Sequence, residues 1–471
     1  MAIIKSISGL RFTMDELENN NPNLIEKYAR AFHRCSGVGK IVIARDGRPS
    51  GIDIMKRLTD ELIRLGRDII LLDIVPTPTL QVFVEEHKTA GGICITASHN
   101  PENWNGLKFI TSEGTCFAED NYKSLQYELD KDTKFEECDS GNIIINDTAI
   151  SEHIDNVLKS NFLKNYIKKN KNEVLCHTDI IKNYIKKNKV KFVIDAVNCA
   201  GSNAVPMLLD KFEAEYEKLY CDNNGIFPHN PEPLPENLTT LSNFIKEKNK
   251  SEERYIGIAV DPDADRLVLV DEDGNCVSEE KTICLAIDAC FTIWKTKYKV
   301  VVNQSTTMLV DWIAKKNNSE VLRSAVGEIN VVNLMQNIGN AIGGEGSGGV
   351  ILSDCHYGRD SLVGIMLFLS LLSEKNITLK EQIASYPQYC MLKKKYNFSK
   401  DKNQLYDKIK KVNANYRISE IDGIKVYYEK GWAHIRTSNT EPIIRIISEA
   451  EEKKQAEEYL EKNCHYDTSI H

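Results

Sequence analysis

No apolar run in this chain approaches the roughly 20 residues that a bilayer-spanning helix needs. The longest, "LVGIMLFLSLL" at 362–372, is short and broken by Gly364 and Ser370. The opening "MAIIKSISGLRF" is too brief in apolar character for a secretory signal, so a cytoplasmic protein with no membrane partner is expected. An excess of positive charge is also missing. Lys and Arg number 60 against 68 Asp and Glu, a net charge of -8, which argues against a general nucleic-acid binder and leaves any anion to local basic clusters. Thirteen cysteines are scattered, odd in number and never spaced C-x-x-C, which favours reduced thiols over disulfides or a zinc site. No Walker lysine follows any glycine-rich stretch.

What the chain does have is length and rhythm. At 471 residues it exceeds one ordinary core, and a prior of roughly 150 residues per domain suggests three or four. Apolar, β-branched runs at 40–44, 68–74, 92–96, 191–197, 255–261 and 299–304 alternate with helix-like stretches. This pattern predicts repeated βα units with buried, mainly parallel strands and ligand-binding loops at strand ends. "KNYIKKNK" occurs at 164–171 and again at 182–189, an 18-residue spacing close to five helical turns. With no apolar face beside it, a solvated Lys/Asn-rich helical face is the expectation. Pro387 and a lysine run mark a boundary before a small α+β segment.

Four loops carry candidate chemistry. In "ICITASHNPENWNGLKFI" (93–110), Ser98 follows a strand-like run, where a nucleophilic hydroxyl would be presented; an ordinary polar turn would use the same letters. His99, next along an extended chain, should point away from it. In "AVDPDADRLVLVDEDG" (259–274), Asp261, Asp263 and Asp265 alternate after a strand and can converge on a hard cation such as Mg²⁺. An EF-hand is excluded because Arg266 stands where glycine is required, and a solvated acidic turn is the plain alternative. "AIGGEGSGGVILS" (341–353) contains G-x-G-x-x-G, but the strand-like "VILS" after it is not the helix of a dinucleotide site. A glycine loop offering Glu345 and Ser347 to ligand hydroxyls competes there with a plain turn. "AHIRTSNTEPIIRII" (433–447) sets Arg436, Ser438, Asn439 and Thr440 between strand-like runs, with Arg445 beyond, as a phosphate clamp or an exposed hairpin.

Taken in order, "TASHNP", "DPDADR", "GEGSG" and "RTSNTEP" resemble the loops of the α-D-phosphohexomutase superfamily, with weaker matches in "SGLR", "ARDGRPSG", "PTPT" and "DAVNCAG". The resemblance implies an α/β fold: three similar domains with mixed, mainly parallel sheets and a smaller α+β C-terminal domain around a central cleft. The expected bounds are 1–145, 150–278, 279–375 and 385–471. It further implies phosphate transfer between the 1- and 6-positions of a hexose phosphate through phosphoserine at Ser98 and a hexose 1,6-bisphosphate. Mg²⁺ would be held by the serine's phosphate and Asp261, Asp263 and Asp265. Arg11 and Arg266 would add positive charge, and Lys108, placed on the same loop as Ser98, would manage the proton. Glu345 and Ser347 would read the sugar, while Arg436, Ser438, Asn439, Thr440 and Arg445 would bind the distant phosphate. A phosphoglucosamine mutase, or a phosphoglucomutase/phosphomannomutase, is expected, as monomer or homodimer. A metal-dependent sugar phosphatase and a non-catalytic sugar-phosphate binder are the rivals. The pattern departs from the family at Gly349, where many members carry histidine; His356 is near in sequence but has no assigned role. Phe12 and Cys199 replace frequent glycines.

Overall fold

The structure, a computed structural model, describes residues 3–131, 140–160, 168–170, 173–250, 253–294, 298–398, 401–437 and 443–464. Its first sheet runs, in spatial order, Ile3–Ser6, Gly9–Thr13, Trp104–Ile110, Gly91–Ile95, Ile41–Arg45, Ile69–Ile74 and Ile143–Ile145. The second runs Glu215–Tyr220, Val190–Asp195, Arg254–Val260, Leu267–Val270, Cys276–Val277, and the third Val321–Ser324, Lys299–Asn303, Ala341–Glu345, Gly349–Leu352.

One unit recurs in all three. A central strand pairs in parallel with its two neighbours, and the third strand then turns into an antiparallel fourth. The central strands Ile41–Arg45 and Val190–Asp195 are covered on both faces, which explains why they read as unbroken apolar runs rather than alternating ones. In each unit the hairpin between third and fourth strands carries one of the predicted loops: 96–103, 261–266 and 346–348. Each hairpin turns through a left-handed residue: Ser98 (φ 50°), Ala264 (φ 50°) and Gly348 (φ 89°).

The second and third units share a single hydrophobic core, which joins Phe192, Ile194, Ile256 and Ile258 to Val300, Val302, Ile342 and Val350. Through it passes the helix Ser361–Lys375, buried from Ser361 to Ser373. Its uniformly apolar sequence reflects a helix enclosed on every side by protein. The helix Ala149–Lys159 links units: Ala149 packs in the first core and Ile154 and Val157 in the second. The C-terminal sheet, Cys390–Asn397, Ile443–Ala450, Gly431–Thr437, Ile424–Tyr428, Arg417–Ser419, is antiparallel throughout, with helices Lys402–Val412 and Lys453–Lys462 contributing Leu405, Ile409 and Leu460 to its core.

Of the second copy of "KNYIKKNK", residues 182–188 lie in the helix His177–Asn188; of the first, Lys168–Asn170 form a short strand and the rest lies outside the described residues. No described helix is long and apolar enough to cross a membrane.

Candidate active site

Ser98 is buried and its left-handed backbone is held from three directions. Its N–H donates to Thr96 Oγ1 at 2.9 Å, and Arg48 Nη2 donates to the carbonyls of Ser98 (2.8 Å) and Asn100 (2.6 Å). Arg48 is itself fully buried, paired with Asp46 and set over the Phe227 ring. The Ser98 hydroxyl donates to Asp261 Oδ2 at 3.2 Å. His99 does not point away: its Nδ1 lies 3.4 Å from Ser98 Oγ, because the left-handed turn at Ser98 breaks the alternation that an extended chain would impose. Burial, together with Arg266 and Arg11, lowers the His99 pKa to about 2, so the ring is neutral. Arg11 donates to Asn100 Oδ1 at 2.8 Å.

Asp261, Asp263 and Asp265 come together, each buried, with ligand-competent atoms within 4.8 Å of one another. Their environments differ. Asp261 Oδ1 accepts the backbone N–H groups of Asp265 and Arg266, both at 3.1 Å, and its nearest cation among the described residues, Arg266 Nε, is 3.9 Å away. Burial, then Asp265 and Asp263, raises its pKa well above the carboxylate range. Asp265 Oδ2 accepts from Arg359 at 2.7 Å and Lys108 at 3.0 Å; burial acts against its charge, but Arg359, Lys108 and Arg266 outweigh it and hold its pKa low. Asp263 Oδ2 accepts from Thr77 Oγ1 at 2.7 Å and from Lys108.

Lys108 lies on the strand Trp104–Ile110 rather than on the Ser98 loop. Burial disfavours its charge, yet Asp263 and Asp265 raise its pKa overall, so it stands as an ammonium. Oδ1 of Asp263 and Oδ1 of Asp265 are buried without a hydrogen-bond partner among the described residues. Bare, buried carboxylate oxygens in a cluster of three aspartates are what a small hard divalent cation would satisfy, and the donor set fits Mg²⁺.

Beside this cluster lies a cavity of about 310 Å³, lined by His99, Arg266, Glu345, Ser347, Arg436 and Arg445 among others. The sequence-predicted groups of all four loops therefore meet at one place, apart from Ser438, Asn439 and Thr440, which lie outside the described residues. Glu345 is held rigidly: Oε1 accepts from Asn303 (2.9 Å) and the Gly327 N–H (3.0 Å), and Oε2 from Arg359 (2.9 Å). Arg436 and Arg445 stand directly opposite each other on antiparallel strands, and Asp422 pairs with Arg436 at 2.9 Å.

Sequence reasoning missed Arg48, Thr77 and above all Arg359. The quoted motifs "ARDGRPSG" and "PTPT" contain Arg48 and Thr77, and Arg359 stands three residues after His356, but the loops they hold are distant in sequence, so no local pattern marks them. His356 does not line the cavity; its Nε2 is 3.1 Å from Asp360 Oδ2, which His153 Nε2 also approaches at 2.8 Å.

A serine at a cation-ready carboxylate cluster, next to a cavity that its neighbour His99 and two arginines line, is the arrangement of a phosphoryl-transfer enzyme acting on a small phosphate ester. The chain belongs to the phosphoglucomutase/phosphomannomutase family, within the α-D-phosphohexomutase superfamily: it matches alpha/beta/alpha domains I, II and III at residues 4–136, 164–274 and 278–389, and the C-terminal domain at 395–465. It is 32% identical to a phosphoglucomutase/phosphomannomutase of Thermococcus kodakarensis over 89% of this chain and 88% of that protein. It is 30% identical to a phosphoglucosamine mutase of Methanocaldococcus jannaschii over 97% and 96%. A phosphoglucomutase/phosphomannomutase family protein from Burkholderia thailandensis shares the fold, with a TM-score of 0.79 at 23% identity over 98% of this chain and 97% of that one. The chain is a phosphohexomutase, an isomerase that shifts phosphate between positions of a hexose.

Proposed function

We propose that the substrate is a glucosamine phosphate and that its 1- and 6-phosphates interconvert through phosphoserine at Ser98 and a bound hexose 1,6-bisphosphate. The observation that carries this reading is the Ser98 hydroxyl 3.2 Å from Asp261, beside two aspartate oxygens with no hydrogen-bond partner among the described residues. The sugar is suggested by the name that relatives such as the Methanocaldococcus protein bear. We assign four units, 1–145, 150–278, 279–375 and 385–471, each supplying one loop.

In this mechanism a sugar hydroxyl oxygen attacks the phosphorus on Ser98, the bond from phosphorus to Oγ breaks, and the bisphosphate turns over within the cavity before the other phosphate returns to Oγ. Asp261, Asp263 and Asp265 would hold Mg²⁺, which when bound neutralises phosphoryl charge in a loose transition state. Arg11 and Arg266 add fixed positive charge beside Ser98. Lys108, kept protonated by Asp263 and Asp265, is suited to donate a proton to Oγ as it leaves and to be reprotonated by the one the attacking hydroxyl gives up, so the net movement is of that proton to Oγ. Glu345 and Ser347 contact the sugar hydroxyls. Arg436 and Arg445, with Ser438, Asn439 and Thr440, hold the phosphate that is not reacting.

The test is turnover of the 1-phosphates of glucosamine, glucose and mannose, with Mg²⁺ and a trace of the matching bisphosphate, compared as kcat/KM. The highest value is expected for glucosamine. Failure to convert any of the three would overturn the mutase assignment, and stoichiometric release of inorganic phosphate would replace it with a phosphatase.

A further inference from the structure

Position 349 has no side chain, and another residue uses the space. A Cβ on Gly349 would lie 2.3 Å from Cδ and 2.8 Å from Cγ of Arg359, far inside van der Waals contact. The Gly349 φ is not positive, so its backbone would accept alanine; only Arg359 forbids one.

Through that gap the Arg359 side chain reaches two loops at once. Nη2 donates to Asp265 Oδ2 at 2.7 Å and Nη1 to Glu345 Oε2 at 2.9 Å, while Nε lies 3.2 Å from Glu328 Oε2. Its base is fixed as well. The next residue, Asp360, accepts the Leu362 N–H at 2.8 Å to cap the helix Ser361–Lys375 and is gripped by His153 and His356. The consequence is geometric. Arg359 and Lys108 occupy Oδ2 of Asp265, so Oδ1 is the oxygen left bare. Glu345, with both oxygens engaged, is locked in orientation relative to that same aspartate.

We propose that Arg359 is a positioning residue for the mutase reaction, fixing the metal loop to the sugar loop through one guanidinium, and that Gly349 is bare in order to admit it. The proposal rests on the phosphohexomutase reading. A planar fork that serves two carboxylates at set angles is not replaced by lysine, which offers one point charge.

The experiment is a cycle of four proteins: the parent, Gly349→Ala, Arg359→Met and the double variant. Each is assayed for kcat and KM with hexose 1-phosphate and checked for a retained thermal transition. Gly349→Ala displaces the arginine and is expected to lower kcat/KM about tenfold or more in the parent, as sub-ångström misplacement does. Placed on Arg359→Met it should change kcat/KM less than about twofold, because no guanidinium remains to be moved away from Asp265 and Glu345. Both single variants should raise KM and lower kcat together, since Arg359 holds a sugar ligand and a cation ligand. If Arg359→Met does not fold, Arg359→Lys tests the planar fork by itself: it is expected to recover only part of the parent kcat/KM, and full activity would overturn the proposal. Equal costs of Gly349→Ala in both backgrounds, or full activity of Arg359→Met, would overturn the proposal; an inactive parent would instead remove the mutase reading beneath it.

Discussion

A left-handed backbone costs a non-glycine residue about 1–2 kcal/mol, and at Ser98 the cost is offset by Arg48, Thr96 and the loop they organise. The same contacts aim its hydroxyl at Asp261, so Ser98→Ala is expected to keep the fold while lowering turnover by roughly 10³-fold or more. Intact-mass measurement should show a phosphate adduct on the parent and none on this variant. The aspartates are expected to differ in sign. In metal-free protein, Asp265→Asn strips a partner from buried Lys108 and Arg359 and should cost about 3–5 kcal/mol of stability, as buried pairs losing one member do, and so lower the Tm. Asp261→Asn keeps an oxygen for the two backbone N–H groups and removes repulsion from its neighbours, so its Tm should hold or rise. Added Mg²⁺ should raise the parent's Tm and that of neither variant. A parent Tm indifferent to Mg²⁺ would remove the cation from this cluster.

Three hairpins at equivalent places in three sheets explain why the loops meet, and this was only partly legible in the sequence. The strands were readable because central strands covered on both faces are mainly apolar, as "IVIA" and "FVI" within 41–44 and 192–194 are. The loops were readable because Ser98 and the aspartates come just after the apolar third strands Gly91–Ile95 and Arg254–Val260, and Glu345 ends the third strand Ala341–Glu345. Convergence was not, since no single-chain pattern records that the fourth strand in each unit runs antiparallel. Nor could letters show that Ser98 turns left-handed and swings His99 toward it, that Lys108 lies on a strand, or that Arg359 fills the place vacated at Gly349. The C-terminal strands Gly431–Thr437 and Ile443–Ala450 add the expected arginine pair. If they grip the phosphate remote from chemistry, Arg436→Gln weakens ground state and transition state alike, so KM should rise about tenfold or more while kcat changes little. A fall in kcat at constant KM would place Arg436 at the transferring group instead.

The joined core of the second and third units makes their stability a common property, and its few polar contacts set how it responds to acid. His177, at the start of the helix His177–Asn188, lies 2.8 Å from Ser370 Oγ, the polar break in the otherwise apolar helix Ser361–Lys375. His434, in the C-terminal sheet, lies 2.9 Å from Ser305 Oγ of the third unit. Burial lowers the pKa of each to about 4, against about 6.5 in an unfolded chain. Between those values the unfolded chain binds more protons than the folded one, so stability is full above about pH 6.5 and falls as pH drops toward 4. At pH 5 each histidine would account for about 2 kcal/mol of the loss. Calorimetric Tm values near pH 7 and pH 5 should therefore diverge in the parent, and His177→Gln, which keeps an amide for Ser370, should narrow the gap by a measurable share. If that variant loses as much Tm on acidification as the parent does, His177 protonation is not what weakens the core, and the acid sensitivity comes from other histidines that burial keeps neutral, among them His434 at the contact between the third unit and the C-terminal sheet, His99 and His33.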